Sequence, residues 1–359
     1  MFNNPPCRLP AMSQNKHLFN WLISCALLIY AMIILGGVTR LTHSGLSMVN
    51  WEPLMGIIPP LNSEDWHELF LQYQQYPEYK LVNNAISQTE FKSIFYFEYF
   101  HRVLGRIVGL AFLIPLIVFW SRGLLTVKFL KRLSVIFLLG AVQGGLGWYM
   151  VQSGLTDEPR VSQYRLTAHL GLAVALYGVI VWLATDLYIN NIGTNKCVIP
   201  PKKTLTTLTV ILLFLIYCMI LSGGFVAGLR AGLIWNTFPL MGESFVPPGL
   251  YEMSPIWRAA FEDMTTVQFN HRILAYLIVS LSTILLIVFL RLKSNSVLKQ
   301  LMISLFVMIC CQIALGVTTL LQGVPVLVAA LHQACAILVF TLALILANFS
   351  GQRRILAVS

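Results

Sequence analysis

Residues 101–120 read HRVLGRIVGLAFLIPLIVFW, a stretch long and apolar enough to cross a membrane as a helix. The hydrocarbon core of a bilayer requires about 20 such residues. Comparable stretches occur at residues 18–37, 133–151, 167–188, 205–225, 271–290, 301–321 and 326–349. We expect all eight to be helices, because a helix satisfies its own backbone polar groups in lipid and an open strand does not. The sequence therefore predicts an all-α integral membrane protein with eight transmembrane helices.

The composition supports the membrane assignment. Of the 359 residues, 57% are hydrophobic and only 11% are charged, and the mean hydropathy is +0.75. A soluble globular chain of this length would not stay in water with such a composition. The first apolar stretch is too long for a signal peptide, and no small-residue cleavage pattern follows it, so we expect it to remain as a span.

Lysines and arginines concentrate in the connections after the second, fourth and sixth spans and at the end of the chain. They are Arg122, Lys128, Lys131, Arg132, Lys196, Lys202, Lys203, Arg291, Lys293, Lys299, Arg353 and Arg354. Cytoplasmic loops carry an excess of Lys and Arg, so we expect both termini to be cytoplasmic, in a bacterial inner membrane. The net charge of +10 is thus read as a topology signal, and no nucleic-acid partner is expected.

The two halves of the chain repeat each other. The first half carries, in order, Gly36-Gly37, residues 51–56, His101-Arg102, Gln143, Gly147 and His169; the second carries Gly223-Gly224, residues 235–242, His271-Arg272, Gln312, Gly316 and His332. This repetition predicts two tandem duplicated four-helix bundles, residues 1–200 and residues 201–359. Each half has an even number of spans, so the repeats share one orientation, unlike the inverted repeats of many transporters.

Four of the seven histidines lie at matched depths, in the first turns of the even-numbered spans: His101, His169, His271 and His332. These spans all run inward from the outer face, so the two imidazoles of each half are level and can bind a haem iron from opposite sides. Zinc is a weaker alternative, because no third His or Cys lies at that depth. The remaining histidines are expected to be solvated: His17, His43 and His67.

Arginines near the outer helix ends are candidates to bind haem propionates: Arg40, Arg102, Arg165, Arg230 and Arg272. Guanidinium groups pair with carboxylates through charge-assisted hydrogen bonds. The alternative is that these side chains only reach from the helix ends to the membrane interface.

One carboxylate distinguishes the halves. Glu98 precedes His101 by three residues, and Gln268 takes the same place before His271. Residues three apart share one face of a helix, so Glu98 should lie about one turn above the imidazole, near the edge of the bound ring. We interpret the first half as the one whose haem reacts and the second as one that relays electrons. The alternative is that Glu98 only caps the helix or pairs with Arg102.

Several motifs together resemble the haem A synthases of the Cox15/CtaA family. They are Gly36-Gly37-Val38-Thr39-Arg40-Leu41-Thr42, Ser44-Gly45-Leu46-Ser47-Met48, Tyr76-Pro77-Glu78-Tyr79-Lys80, Glu98-Tyr99-Phe100-His101-Arg102, Thr167-Ala168-His169 and Phe269-Asn270-His271-Arg272. The chain is most similar to the proteobacterial and mitochondrial branch, since it lacks the paired outer-loop cysteines of some other bacterial members.

The resemblance implies oxidation of the methyl group at ring position 8 of haem O to a formyl group, which gives haem A for cytochrome c oxidase. By the same resemblance, His101 and His169 would hold the haem O substrate, His271 and His332 a haem b cofactor, and Glu98 matches the family's glutamate. The implied partners are the haem O synthase and a small redox donor or acceptor. Whether the chain forms a homo-oligomer is left open.

Two other functions share some of these features. A di-haem cytochrome b that exchanges electrons with quinone would use the same histidines, but it would not need the asymmetry between Glu98 and Gln268. A transporter would need polar residues through the depth of several helices, whereas the spans show few below the outer third, with Asp186 as the exception.

Overall fold

The computed structural model describes residues 12–48, 58–154, 161–189, 201–292 and 296–351. Its helices, in chain order, are α1 (Met12–Leu41), α2 (Ser63–Tyr73), α3 (Pro77–Leu81), α4 (Gln88–Ser121), α5 (Val127–Gly154), α6 (Gln163–Leu187), α7 (Lys203–Leu229), α8 (Ala259–Glu262), α9 (Met264–Leu290), α10 (Ser296–Leu321) and α11 (Val326–Gly351). All except α2, α3 and α8 are long and apolar enough to cross a membrane. The predicted all-α membrane fold with eight spans is confirmed.

Some sequence features fall outside the described residues. They are residues 51–56, which were matched to residues 235–242, and four cations of the expected cytoplasmic side, Lys196, Lys293, Arg353 and Arg354.

Each half of the chain forms a ring of contacting helices. In the first half α1 contacts α4, α4 contacts α5, α5 contacts α6, and α6 returns to α1. In the second half the same order runs through α7, α9, α10 and α11. The rings meet along a seam where α1 and α6 contact α11 and where α6 also contacts α7. In both rings the two histidine-bearing helices are therefore diagonal to each other.

The seam is closely packed and carries polar contacts between the halves. A Cβ atom added to Gly228 of α7 would lie 2.7 Å from the Cα of Gln163 in α6, so only glycine permits this approach. Further along the seam, Tyr177 and Thr341 share a hydrogen bond of 2.7 Å between their hydroxyl oxygens, and Gln333 donates to the carbonyl of Ile33 at 2.7 Å. The rings thus form one continuous core.

The long loops lie at the end of the rings where α4, α6, α9 and α11 begin, here called the loop end. There α4 starts at Gln88, well before the predicted span at residue 101, because Ser87 and Glu90 form a capping box that fixes an earlier first turn. The extra turns of α4 pack against α2 through buried aromatic rings. Trp66 lies 5.0 Å from Phe95, and Tyr73 lies 5.0 Å from Phe91, between ring centroids. Helix α3 packs against α2, with 5.8 Å between the ring centroids of Tyr79 and Tyr73, and the two helices are here called the cap of the first ring.

Candidate functional site

The structure brings the predicted histidine pairs together. His101 on α4 and His169 on α6 lie on diagonal helices of the first ring, close enough for their imidazoles to interact electrostatically. His271 on α9 and His332 on α11 have the same relation in the second ring. All four side chains are partly buried near the loop end. Each ring therefore presents two imidazoles from diagonal helices.

Each imidazole also packs against a glycine of a neighbouring helix. A Cβ atom on these glycines would lie 2.7–3.5 Å from the nearest imidazole atom, for the pairs Gly36 with His101, Gly147 with His169, Gly223 with His271 and Gly316 with His332. The first and third of these glycines occupy matched positions on α1 and α7, and the other two on α5 and α10. A side chain would crowd the imidazole at Gly36, Gly147 and Gly316, whereas at Gly223 the added Cβ would make ordinary van der Waals contact. The four glycines form cradles at matched positions.

Neutral polar side chains hydrogen-bond the imidazoles. The Nε2 of Gln143 lies 3.1 Å from the Nδ1 of His169, and the Nε2 of Gln312 lies 3.3 Å from the Nε2 of His332. Ser222 places its hydroxyl 3.1 Å from the Nδ1 of His271. Sequence reasoning noted the two glutamines as part of the repeat but did not assign them to the site. Their amide N–H groups can donate to imidazole nitrogens, which fixes the orientation of the two rings.

These features fit a haem better than a zinc ion. In the described part of the chain, no group of three or more His, Cys, Asp or Glu side chains could hold a metal ion by itself. A haem needs only two axial ligands from the protein, and paired imidazoles supply them. The Nδ1 of His332 and the Oε1 atoms of Gln143 and Gln312 are buried without a hydrogen-bond partner, which indicates that these polar groups face something besides the chain.

Glu98 is buried, with 3% of its surface exposed, and is held on both carboxylate oxygens. Its Oε2 accepts hydrogen bonds of 2.8 Å from the Ser47 hydroxyl and from the Met48 backbone N–H. Its Oε1 pairs with Arg102, whose Nε lies 3.1 Å away and whose Nη2 also donates to the Met48 carbonyl at 2.8 Å. The pairing that sequence reasoning treated as an alternative is therefore present, and it fixes the carboxylate one turn before His101.

The second ring has an amide in the matching place. Gln268 donates to the Trp235 carbonyl at 3.1 Å, and Arg272 donates to the same carbonyl at 3.0 Å. Both rings thus anchor the helix that carries the first histidine to the preceding loop. In the first ring the two anchoring side chains, Glu98 and Arg102, also form an ion pair with each other.

The other predicted propionate ligands occupy different surroundings. Arg40 donates to the Ala227 carbonyl of α7 at 3.2 Å, across the seam. Arg165 stacks on the ring of Tyr149, with 4.3 Å between its guanidinium carbon and the ring centroid. Arg230 lies 3.2 Å from the Nδ1 of His43. His43 is exposed, as expected, and it is also a contact between the halves; partial desolvation together with Arg230 and Arg40 lowers its pKa.

Sequence reasoning missed a second buried carboxylate. Glu78 on α3 is only 6% exposed, and its Oε2 has no hydrogen-bond partner. Burial, together with the nearby charge of Glu98, raises the pKa of Glu78 to about 7, although Arg40 and Arg230 oppose the shift. In the sequence, Glu78 stands out only as part of the motif at residues 76–80.

Known proteins match the chain over most of its length. The COX15-CtaA family model, described as a cytochrome oxidase assembly protein, matches residues 19–344. A protein named heme A synthase from Nitrosospira multiformis is 50% identical over 324 residues, which cover 90% of each chain. A protein of the same name from Nitrosomonas eutropha is 44% identical, covering 96% of this chain and 98% of its own. The human heme A synthase COX15 is 41% identical, covering 95% of this chain and 84% of its own.

Proposed function

The chain belongs to the COX15-CtaA family of cytochrome oxidase assembly proteins, and from this membership and its geometry we infer that it is a multi-pass membrane enzyme that converts haem O to haem A for cytochrome oxidase. The observation that carries the inference for this chain is the pairing of diagonal histidines in both rings, with a carboxylate that is buried beside only the first pair among the described residues.

We further propose that the enzyme is an oxidoreductase with two haem sites. Residues 1–200 form the substrate domain, in which His101 and His169 hold haem O. Residues 201–359 form the cofactor domain, in which His271 and His332 hold haem b. The haem b iron, when bound, supplies one-electron redox chemistry. The repeated glycine cradles support a common origin for the two domains.

Glu98 is the proposed catalytic residue. Conversion of a methyl to a formyl group replaces two of three C–H bonds, so protons must leave the reacting carbon. A carboxylate fixed near the edge of the substrate ring can accept such a proton or stabilise positive charge that develops at the carbon. Arg102 and the Met48 N–H hold Glu98 in one orientation, which limits the reorganisation needed during the reaction. Gln268 cannot accept a proton in this way, in keeping with a relay role for the second ring.

The arginines and the loop end have proposed roles as well. Arg40, Arg165, Arg230 and Arg272 are candidates to neutralise haem propionates, whereas Arg102 mainly serves Glu98. The surplus of Lys and Arg in the loops opposite the loop end supports cytoplasmic termini and haem sites near the periplasmic face of a bacterial inner membrane. A haem O synthase that delivers the substrate and a small redox protein are the proposed partners.

Haem extraction tests this function. Protein purified from cells with and without a haem O source is analysed by its pyridine haemochrome spectrum. We expect haem B in both preparations and haem A only where haem O was supplied, because haem A absorbs at longer wavelength. Haem B alone in both sites, even with haem O present, would instead support an electron-carrying di-haem cytochrome.

A further inference from the structure

The two buried carboxylates of the described residues lie in the same part of the molecule. Of the Asp and Glu residues whose burial the structure describes, only Glu78 and Glu98 are buried. Both belong to the first half, and they are close enough to interact electrostatically. Glu243 and Glu252, in the long loop of the second half, are exposed. The second ring therefore lacks both members of this pair in its described residues.

The position of Glu78 links the interior to the aqueous side of the cap. Helix α3 is a single short turn, and Lys80 and Leu81, two and three residues after Glu78, are exposed. The Glu78 backbone carbonyl accepts hydrogen bonds of 3.0 Å from the N–H groups of Val82 and Asn83, which close the turn. The buried Glu78 carboxyl group thus belongs to a short segment that also reaches the surface.

Charged and titratable groups face Glu78 from every element packed around it. They are Glu98 of α4, Arg40 of α1, Arg230 at the end of α7, and Tyr73 of α2. Of these, Glu98 already has Arg102 as a counter-ion, whereas no hydrogen bond to the Glu78 side chain is present among the described residues. A buried carboxylate without hydrogen bonds is costly, so its protonated form is favoured. The pKa of about 7 lets Glu78 take up and release protons near neutral pH.

We propose that Glu78 acts through Glu98 by exchanging protons with it. A proton that Glu98 accepts from the substrate passes to Glu78 and then to water at the loop end. In the transfer, the O–H bond of the Glu98 carboxylic acid breaks and an O–H bond forms on Glu78, while the negative charge returns to Glu98. No electrons are exchanged. The two carboxylates make no direct hydrogen bond to each other, so the proton crosses through intervening water. This role rests on the proposed function of Glu98.

The first test is spectroscopic and does not depend on turnover. Infrared difference spectra of the haem-loaded protein across the pH range should show a protonated carboxyl band that titrates near pH 7 and is absent from Glu78→Gln. In Glu98→Gln the band should remain, and its midpoint should shift to lower pH because the like charge is gone. A band that is unchanged in Glu78→Gln, or a midpoint that Glu98→Gln does not move, would overturn the coupling.

The second test is kinetic, with the haem content measured for every variant. Glu78→Gln should bind both haems and lose roughly 10²-fold in rate, the lower end of the range for proton-transfer groups. Glu78→Asp, which keeps the carboxyl group, should recover part of the rate, and its rate should still depend on pH. Glu243→Gln is the matched control on the exposed surface and should behave as wild type.

The outcomes separate the two proposals. Wild-type rates and pH dependence in Glu78→Gln would refute the relay and leave the role of Glu98 intact. Full activity in Glu98→Gln would refute the catalytic proposal instead. If Glu78→Gln loses its haems, Glu78→Asp decides: a folded, haem-loaded Glu78→Asp with the wild-type pH profile and no carboxyl band near pH 7 would show that Glu78 is only structural.

Discussion

Replacement of Glu98 by Gln, which copies the residue of the second ring, separates catalysis from folding. The substitution keeps the shape of the side chain and one carbonyl oxygen that can still accept from Ser47 or Met48. It removes the ion pair with Arg102, in which the side chains are only 4% and 12% exposed. Hydrogen bonds to charged groups contribute about 1.5–3 kcal/mol. Because Arg102 keeps its hydrogen bond to the Met48 carbonyl, we expect Glu98→Gln to lower the free energy of unfolding by roughly that amount.

The effect on the reaction should be larger than the effect on stability. Loss of a proton-accepting group typically costs 10²–10⁴-fold in rate, which corresponds to about 2.7–5.4 kcal/mol in the activation barrier. Conversion of haem O to haem A is measured by haem extraction after a fixed time, and both bound haems are quantified in the same sample. A variant that keeps both haems and the wild-type rate would refute the catalytic assignment of Glu98.

A matched set of variants controls for the broken ion pair. Arg102→Gln leaves the Glu98 carboxylate buried without its counter-ion and should destabilise the protein by roughly 3–5 kcal/mol. The double variant should be more stable than the sum of the two single effects predicts, since neither charge is then left alone. Glu262→Gln removes the exposed ion pair with Arg258 and should change neither the melting temperature nor the activity measurably. Equal stability losses in all three single variants would contradict this account of the Glu98 environment.

Two further substitutions test the cradles and the seam. Gly316→Ala would place its Cβ 2.7 Å from the imidazole of His332, so we expect loss of one of the two haems in the purified protein, whereas Gly144→Ala, with no other atom within 4 Å of its Cβ, should keep both. Asn348→Leu removes a buried donor that lies 2.8 Å from Asp186 across the seam, at the end opposite the histidines. It should lower stability in thermal denaturation by roughly 1–3 kcal/mol and leave the haem spectrum unchanged.

Hydropathy and spacing predicted the parts of the structure that depend on local sequence. The eight spans follow from apolar length alone, and the four histidines fall at similar depths because their helices all begin at the loop end. The start of α4 was placed too late because its first turns are polar and aromatic, and they are helical through the capping box of Ser87 and packing against α2. A hydropathy scan does not register either contribution.

Contacts between distant segments could not be predicted in the same way. Glu78 lies in a polar, charged stretch that is typical of a solvated loop, and it is buried because the chain around it packs against α2 and the first turns of α4. His43 is exposed, as expected, but its contact with Arg230 depends on how the two rings meet. Such packing is a property of the assembled tertiary structure, and one sequence without contact information does not carry it.

The two rings share much of their framework but differ in charge at the loop end. Both use a glycine on the first and third spans to seat the imidazoles, and both anchor the first histidine helix to the preceding loop through an arginine. The substitution Gln268→Glu therefore introduces a carboxylate beside Arg272 without altering the cradles. Since the second ring has no buried partner equivalent to Glu78 in its described residues, this variant should gain an ion pair and retain both haems but acquire no second site of haem A formation. Haem A formed at the second ring would show that a single carboxylate is sufficient for the chemistry, and that the cap of the first ring is not required.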